Sequence, residues 1–111
     1  MRQGEIWFAD LNPVGGSEQA GFRPVVIISG NMLNKYLNVV ITVPLTTKIK
    51  RYQGNPILQP NTTNNLKATS EMMVFHIRSI SKERLVEKIG DISEKEVKQA
   101  LETLNDLVNL D

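Results

Sequence analysis

Two short stretches concentrate the side chains that could do chemistry. GSEQAGFRP, from Gly16 to Pro24, sets the Ser17 hydroxyl, the Glu18 carboxylate, the Gln19 amide and the Arg23 guanidinium beside an apolar run. VPLTTKIKRY, from Val43 to Tyr52, ends another apolar run in Thr46 and Thr47 and follows them with Lys48, Lys50, Arg51 and Tyr52. Together these groups suit RNA phosphate. Cleavage without a metal can use the 2′-hydroxyl of the RNA as nucleophile, leaving the protein to supply proton transfer and donors to the charged transition state. If the two apolar runs are antiparallel neighbours, the start of one lies beside the end of the other, and Arg23 and Thr46 meet on one phosphate. Each residue also has a plainer reading. Arg23 can pair with Glu18 on the surface, Ser17, Thr46 and Thr47 can cap turns, and the basic run can be a solvated loop rather than a track for phosphates with a stacking tyrosine.

Other chemistries find little in the chain. It has no cysteine and a single histidine, His76, and its acidic residues show no metal-binding spacing, so neither a metal nor another cofactor is expected. No phosphate-cradling P-loop or dinucleotide fingerprint is present. The 111 residues carry 13 basic and 12 acidic side chains, a net charge of +1, so a polyanion would have to be held by a local patch. One domain, residues 1–111, fits this length. The start, MRQGEIWFADLNP, lacks the apolar stretch of a signal peptide, and no run is long enough to span a membrane, so a soluble, cytoplasmic protein without a membrane partner is expected.

Short strands should position these groups. GEIWFADL reads as a strand closed by Asn12 and Pro13. RPVVIIS (23–29) is β-branched and apolar on both faces, as in a central strand, and VVITVPL (39–45) repeats the signature until Pro44 interrupts it. NMLNKYLN forms a helical turn between them. The polar stretch from Lys48 to Asn65 encloses at most an edge strand at Ile57 and Leu58. Strand character returns from Met72 to Ile80 and again over Leu85 to Ile92. The last segment changes period: Ser93 and Glu96 form a capping box, and Val97, Ala100, Leu101, Leu104, Leu107 and Val108 predict one amphipathic helix face. Short strands ending in one helix imply a bent sheet whose open side the helix covers. Trp7 is expected in core or dimer packing.

GEIWFADLNPVGGSEQAGFRPVVIIS, then VPLTT, then IRSISKERL, in this order and spacing, resemble the MazF/PemK (Kid) family of toxin–antitoxin ribonucleases across nearly the whole chain. The resemblance implies a mainly β (α+β) fold, a small SH3-like barrel of the CcdB/PemK kind with a C-terminal amphipathic helix. It also implies a homodimer that cuts single-stranded RNA selectively and without metal, leaving 2′,3′-cyclic phosphate and 5′-hydroxyl ends. By the motif match Arg23 and Thr46 resemble the catalytic pair, and Ser17, Glu18 and Gln19 fall on a loop near RNA, where Glu18 moves protons or holds Arg23. Where many relatives have an acidic residue and then glutamine, this chain has Phe75 and His76. His76 is either a replacement base, a stacking group or a structural polar residue, and Arg78 either an RNA contact or an interface ion pair. The implied partners are single-stranded RNA and a cognate antitoxin with an acidic, partly disordered tail, with DNA reached only through the antitoxin. Two other functions stand beside this one: a CcdB-like poison of DNA gyrase on the same fold, and a nuclease-dead RNA-binding relative.

Overall fold

A computed structural model describes residues 1–12 and 21–110. The strands are β1 (Glu5–Asp10), β2 (Phe22–Ile27), β3 (Val39–Thr46), β4 (Ile57–Leu58), β5 (Ser70–Met72), β6 (Arg78–Ser81) and β7 (Leu85–Asp91), with helices α1 (Asn31–Tyr36) and α2 (Glu94–Leu107). They form a seven-stranded sheet in the order β4-β5-β3-β2-β1-β7, with β6 also on β3. All the pairings are antiparallel.

From Val25 onward the central strand β2 is buried on both faces, as its apolar run requires. Val26 and Ile28 join Ile6, Val43, Leu45, Leu58 and Met72 in one core cluster, which α2 covers with Val97 and Ala100. Val25 and Ile27 point the other way, to Ala9, Val40, Ile80 and Leu85, with Trp7 packed against them. The sheet is bent enough that its two ends nearly meet. Asp91 at the end of β7 donates its N–H to the Thr63 carbonyl (3.0 Å), just beyond β4. Gly90 allows this approach, because a Cβ there would lie 2.4 Å from the Asn64 carbonyl oxygen. The result is the mainly β, barrel-like sheet with a C-terminal helix that the sequence implied.

Three expectations need correction. Pro44 does not end its strand: β3 continues to Thr46. Pro44 falls where β3 changes partners, between Val39–Thr42 on β6 and Leu45–Thr46 on β5, so a missing donor is tolerated. The expected strand from Met72 to Ile80 is two strands separated by a 3₁₀ turn over Val74–His76, which turns Phe75 outward while Val74 stays in the core. The buried stripe of α2 is narrower than the apolar pattern. Val97, Ala100 and Thr103 are buried, whereas Leu101, Leu107 and Val108 are exposed. Thr103 belongs inside because its hydroxyl donates to the Gly54 carbonyl, tying the helix to the loop before β4. The capping box forms as expected, with Glu96 N–H on Ser93 Oγ and Ser93 N–H on Glu96 Oε1. Replacing such a cap by alanine costs about 1 kcal/mol.

Candidate active site and nucleic-acid interface

The antiparallel register of β2 and β3 brings the two sequence-distant motifs together. Val25 pairs with Pro44, Val26 with Val43 and Ile27 with Thr42, so the same register carried two residues further sets Arg23 opposite Thr46. Both side chains wall a cleft of about 610 Å³. A smaller hollow of about 270 Å³ adjoins it, sharing Arg23, Thr46 and Lys48 and adding Thr47 and Ser70. Arg23, Thr47 and Lys48 are exposed and Thr46 is half-buried.

The Thr46 hydroxyl accepts the N–H of Lys48 at 3.1 Å. A turn is thus part of its role, but accepting that bond uses a lone pair and leaves the O–H free to donate into the cleft. Arg23 with five N–H donors, Thr46 with one, and the ammonium groups of Lys48 and Lys50 make a surface suited to a phosphodiester.

Tyr52, Phe75, His76 and Arg78 line the same cleft. The rings touch one another: Phe75 meets Tyr52 edge to face at 5.4 Å between centroids and lies against His76 at 4.4 Å. Tyr52 and Phe75 are 49% and 47% exposed, so these rings are presented to solvent rather than committed to the core. Such rings can stack on unpaired bases. Arg51 lies outside the cleft, although it sits between two cleft residues. Ser17, Glu18 and Gln19 lie outside the described residues, so the Arg23–Glu18 pairing does too.

The described residues on either side of that stretch are held firmly. Arg84 Nη1 donates to the carbonyls of Asp10 (3.0 Å) and Asn12 (2.6 Å), and Leu11 N–H donates to the Gly21 carbonyl. Gly21 must lack a side chain here, since a Cβ would come 2.7 Å from the Asn12 backbone nitrogen.

Two further residues could not be assigned a role from sequence patterns. Glu71, fully buried in β5, accepts the backbone N–H groups of Lys50, Arg51 and Tyr52 and the side-chain amide of Asn55. The available signal was a lone acid inside the apolar run SEMMV. Burial pushes the Glu71 carboxyl up, but the bonds from Asn55, Arg51, Lys50 and Tyr52 together hold it below the ordinary value of 4.5. Glu5 is similar: burial raises it, while Trp7, the Arg2 backbone, Lys88 and the N-terminus bring it below 4.5.

A depressed folded-state pKa means stability that is fully present above the unfolded value and is lost as pH falls through the folded one. The midpoint of thermal unfolding is therefore expected to fall steeply as pH drops below 4.5. Glu71→Gln should flatten that dependence, as calorimetry between neutral and acid pH would show. An unchanged acid limb would mean that other carboxylates dominate it.

Among the described residues no group of three His, Cys, Asp or Glu side chains could hold a metal ion. No described helix is long and apolar enough to cross a membrane.

A barrel-like sheet backed by one helix, with a basic cleft at the end of its central strand pair, defines a small β fold suited to a polyanionic chain. The sequence places it more narrowly. Residues 2–108 match the model of the PemK-like, MazF-like toxins of type II toxin–antitoxin systems. The chain belongs to that family. It is 38% identical over 100 residues to the Endoribonuclease MazF of Staphylococcus saprophyticus, covering 89% of this chain and 83% of the relative. It is 37% identical over 109 residues to the Endoribonuclease MazF9 of Mycobacterium tuberculosis, covering 94% and 92%. In fold it is similar to MazF from Deinococcus radiodurans, with a TM-score of 0.79 at 22% identity over 99% of this chain and 97% of that one. A mycobacterial endoribonuclease solved with its cognate antitoxin is similar too, with a TM-score of 0.79 at 20% identity over 100% and 97%.

Proposed function

We propose that this chain is an endoribonuclease of a type II toxin–antitoxin system, cutting single-stranded RNA in the cleft between Arg23, Thr46 and the Tyr52–Phe75–His76 rings. The observation that carries the reading is the meeting of Arg23 and Thr46 at one end of the β2–β3 pair, on the wall of a cleft that also holds Lys48 and Lys50. In the reaction the 2′-oxygen bonds to phosphorus as the bond from phosphorus to the 5′-oxygen breaks. The 2′-hydroxyl proton passes to a base and the leaving 5′-oxygen gains one, giving a 2′,3′-cyclic phosphate and a 5′-hydroxyl. Arg23 and Thr46 donate to the non-bridging oxygens as charge builds on them. Glu18 carries or relays the proton from its place between Gly16 and Arg23. Ser17, Gln19, Thr47, His76 and Arg78 contact the RNA around the scissile bond, in keeping with the positions of Thr47, His76 and Arg78 on the two hollows.

The nucleophile belongs to the substrate, so no metal is needed. Cleavage of a long single-stranded RNA is expected to persist in EDTA and to leave cyclic phosphate ends on mapping. DNA, or RNA methylated on the 2′-oxygen of the scissile nucleotide, should bind and stay whole. Strict dependence on magnesium, or cutting of the methylated substrate, would overturn the mechanism. A gyrase poison would leave all of these substrates intact.

The single domain acts as a homodimer in the cytoplasm, where messenger RNA is available. Met32, Tyr36 and Leu37, on and just after α1, are 72%, 69% and 47% exposed, an apolar patch that a second copy can cover. Light scattering should give twice the chain mass of 12.5 kDa. A cognate antitoxin with an acidic, partly disordered tail occupies the basic cleft, and contact with DNA is made through it.

A further inference from the structure

Among the described residues Glu71 is the buried side chain with the most hydrogen bonds, and the proton transfers above do not use it. Its side chain is 0% exposed. In the ladders it pairs with Thr46 of β3 on one side and Ile57 of β4 on the other. Oε1 accepts the N–H groups of Lys50 (2.7 Å) and Arg51 (2.8 Å), and Oε2 accepts the N–H of Tyr52 (2.9 Å) and Nδ2 of Asn55 (2.9 Å). The two oxygens are thereby saturated.

Three successive N–H groups converge on one anion only when the backbone folds into a concave nest. Arg51, in the middle, accordingly takes φ 57°, a left-handed conformation that a side chain with a Cβ disfavours. The segment is pinned again at its far end. Asn55 N–H donates to the Tyr52 carbonyl at 3.1 Å, and Gly54 is tied to Thr103 of α2. A buried charge is an expensive way to finish a loop, since an apolar residue in β5 and a self-satisfied turn would be as stable. What the carboxylate adds is a fixed backbone under side chains that work: Lys50 and Tyr52 enter the cleft while Arg51 turns away from it.

We infer that Glu71 is a positioning residue for RNA recognition, holding residues 50–52 by their backbone, directly across the ladder from Thr46, so that Lys50 and the Tyr52 ring face the cleft before RNA arrives. This rests on the RNA-cleaving function proposed above. Ordering the loop in advance removes a cost of binding, so loss of Glu71 should appear in affinity rather than in the turnover of bound RNA.

The test uses Glu71→Gln, nearly the same in shape, whose amide hydrogens would confront the loop N–H groups. Asn55→Ala, which removes one donor to Glu71 along with the long Val74 N–H bond to Asn55 Oδ1 and keeps the charge, is the second variant. Both are compared with the wild type at a temperature where circular dichroism shows each folded. Amide hydrogen exchange at Lys50, Arg51 and Tyr52 should quicken by about 10-fold or more in Glu71→Gln while Val25 and Val26 in β2 are unaffected. The Kd for a 2′-O-methylated RNA oligomer should rise by roughly 5- to 20-fold, with the cleavage rate of saturating unmodified RNA within about 2-fold of wild type. In a Lys50→Ala, Tyr52→Ala background the same change should weaken binding by no more than about 2-fold, because both groups it positions are gone.

Unchanged exchange, a loosened loop with unchanged affinity, or effects that multiply with the Lys50→Ala, Tyr52→Ala pair would each overturn the inference. Should Glu71→Gln fail to fold, Asn55→Ala decides by the same readouts. A wild-type protein that neither binds nor cuts RNA would overturn the proposed function itself. That is a different result from a wild type that binds RNA and a Glu71→Gln that binds it equally well.

Discussion

Arg23→Ala is expected to lower the rate of RNA cleavage by about 10² to 10³, the usual loss when a preorganised donor to a transition state is removed. The fold should barely notice. Arg23 is exposed at the entrance of β2, and surface substitutions of this kind stay within about 0.5 kcal/mol. Thr46→Ala should lose a similar factor in rate with a somewhat larger cost in stability, because its hydroxyl also accepts the Lys48 N–H. That turn is exposed, so the cost belongs at the low end of the roughly 0.5 to 1.5 kcal/mol that a hydrogen bond contributes. Thr46→Ser keeps both functions of the hydroxyl and should retain most activity. Thr47→Ala is the control within the pair, since Thr47 lines the smaller hollow but not the main cleft. Single-turnover rates at saturating RNA, with thermal unfolding measured beside them, decide the matter. If Thr47→Ala proves the more damaging, the roles within the pair are reversed. If both Arg23→Ala and Thr46→Ala cut at the wild-type rate, the cleft is not where RNA is broken.

That Arg23 and Thr46 would meet could be reasoned from two features of the sequence. Two β-branched runs separated by one helical turn pair as antiparallel neighbours, and antiparallel pairing sets the beginning of one beside the end of the other. The register that sets them opposite each other came only with the structure. The role of Glu71 required more. Its donors lie about 20 residues away, in a loop whose conformation no local pattern specifies, so an acid in an apolar run could be recognised as odd but not explained. The turn at Val74–His76 was hidden for another reason. Val74, Phe75 and His76 have the composition of a strand, and only the three-dimensional setting separates Val74, which fills the core, from Phe75, which faces the cleft. Helix α2 shows the same limit. The apolar positions announced a helix, while the loop before β4, whose Gly54 carbonyl takes the Thr103 hydroxyl, decided that Thr103 is buried and Leu101 is not.

Reversing charge in the cleft should have the other large effect, and it separates residues that the sequence could only group. Lys48 and Lys50 line the cleft, whereas Arg51, held with its backbone toward Glu71, does not. Lys48→Glu with Lys50→Glu should therefore weaken RNA binding by about 10² or more at low salt, replacing two phosphate-binding cations by two repelling anions. It should also flatten the slope of log K against log salt by roughly 1.4, about 0.7 for each phosphate of a single strand that is no longer neutralised. Arg51→Glu should change both far less. An acidic antitoxin tail that lies in the same cleft must depend on the same ammonium groups, and because it orders on binding it gains from any surface already arranged to receive it. The double variant should thus weaken RNA and antitoxin in parallel, with similar loss of salt dependence, in calorimetry on a protein whose melting temperature is checked first. If it releases RNA while antitoxin affinity stays intact, the two ligands do not share the cleft. Inhibition would then have to act through the segment from Gly15 to Phe22.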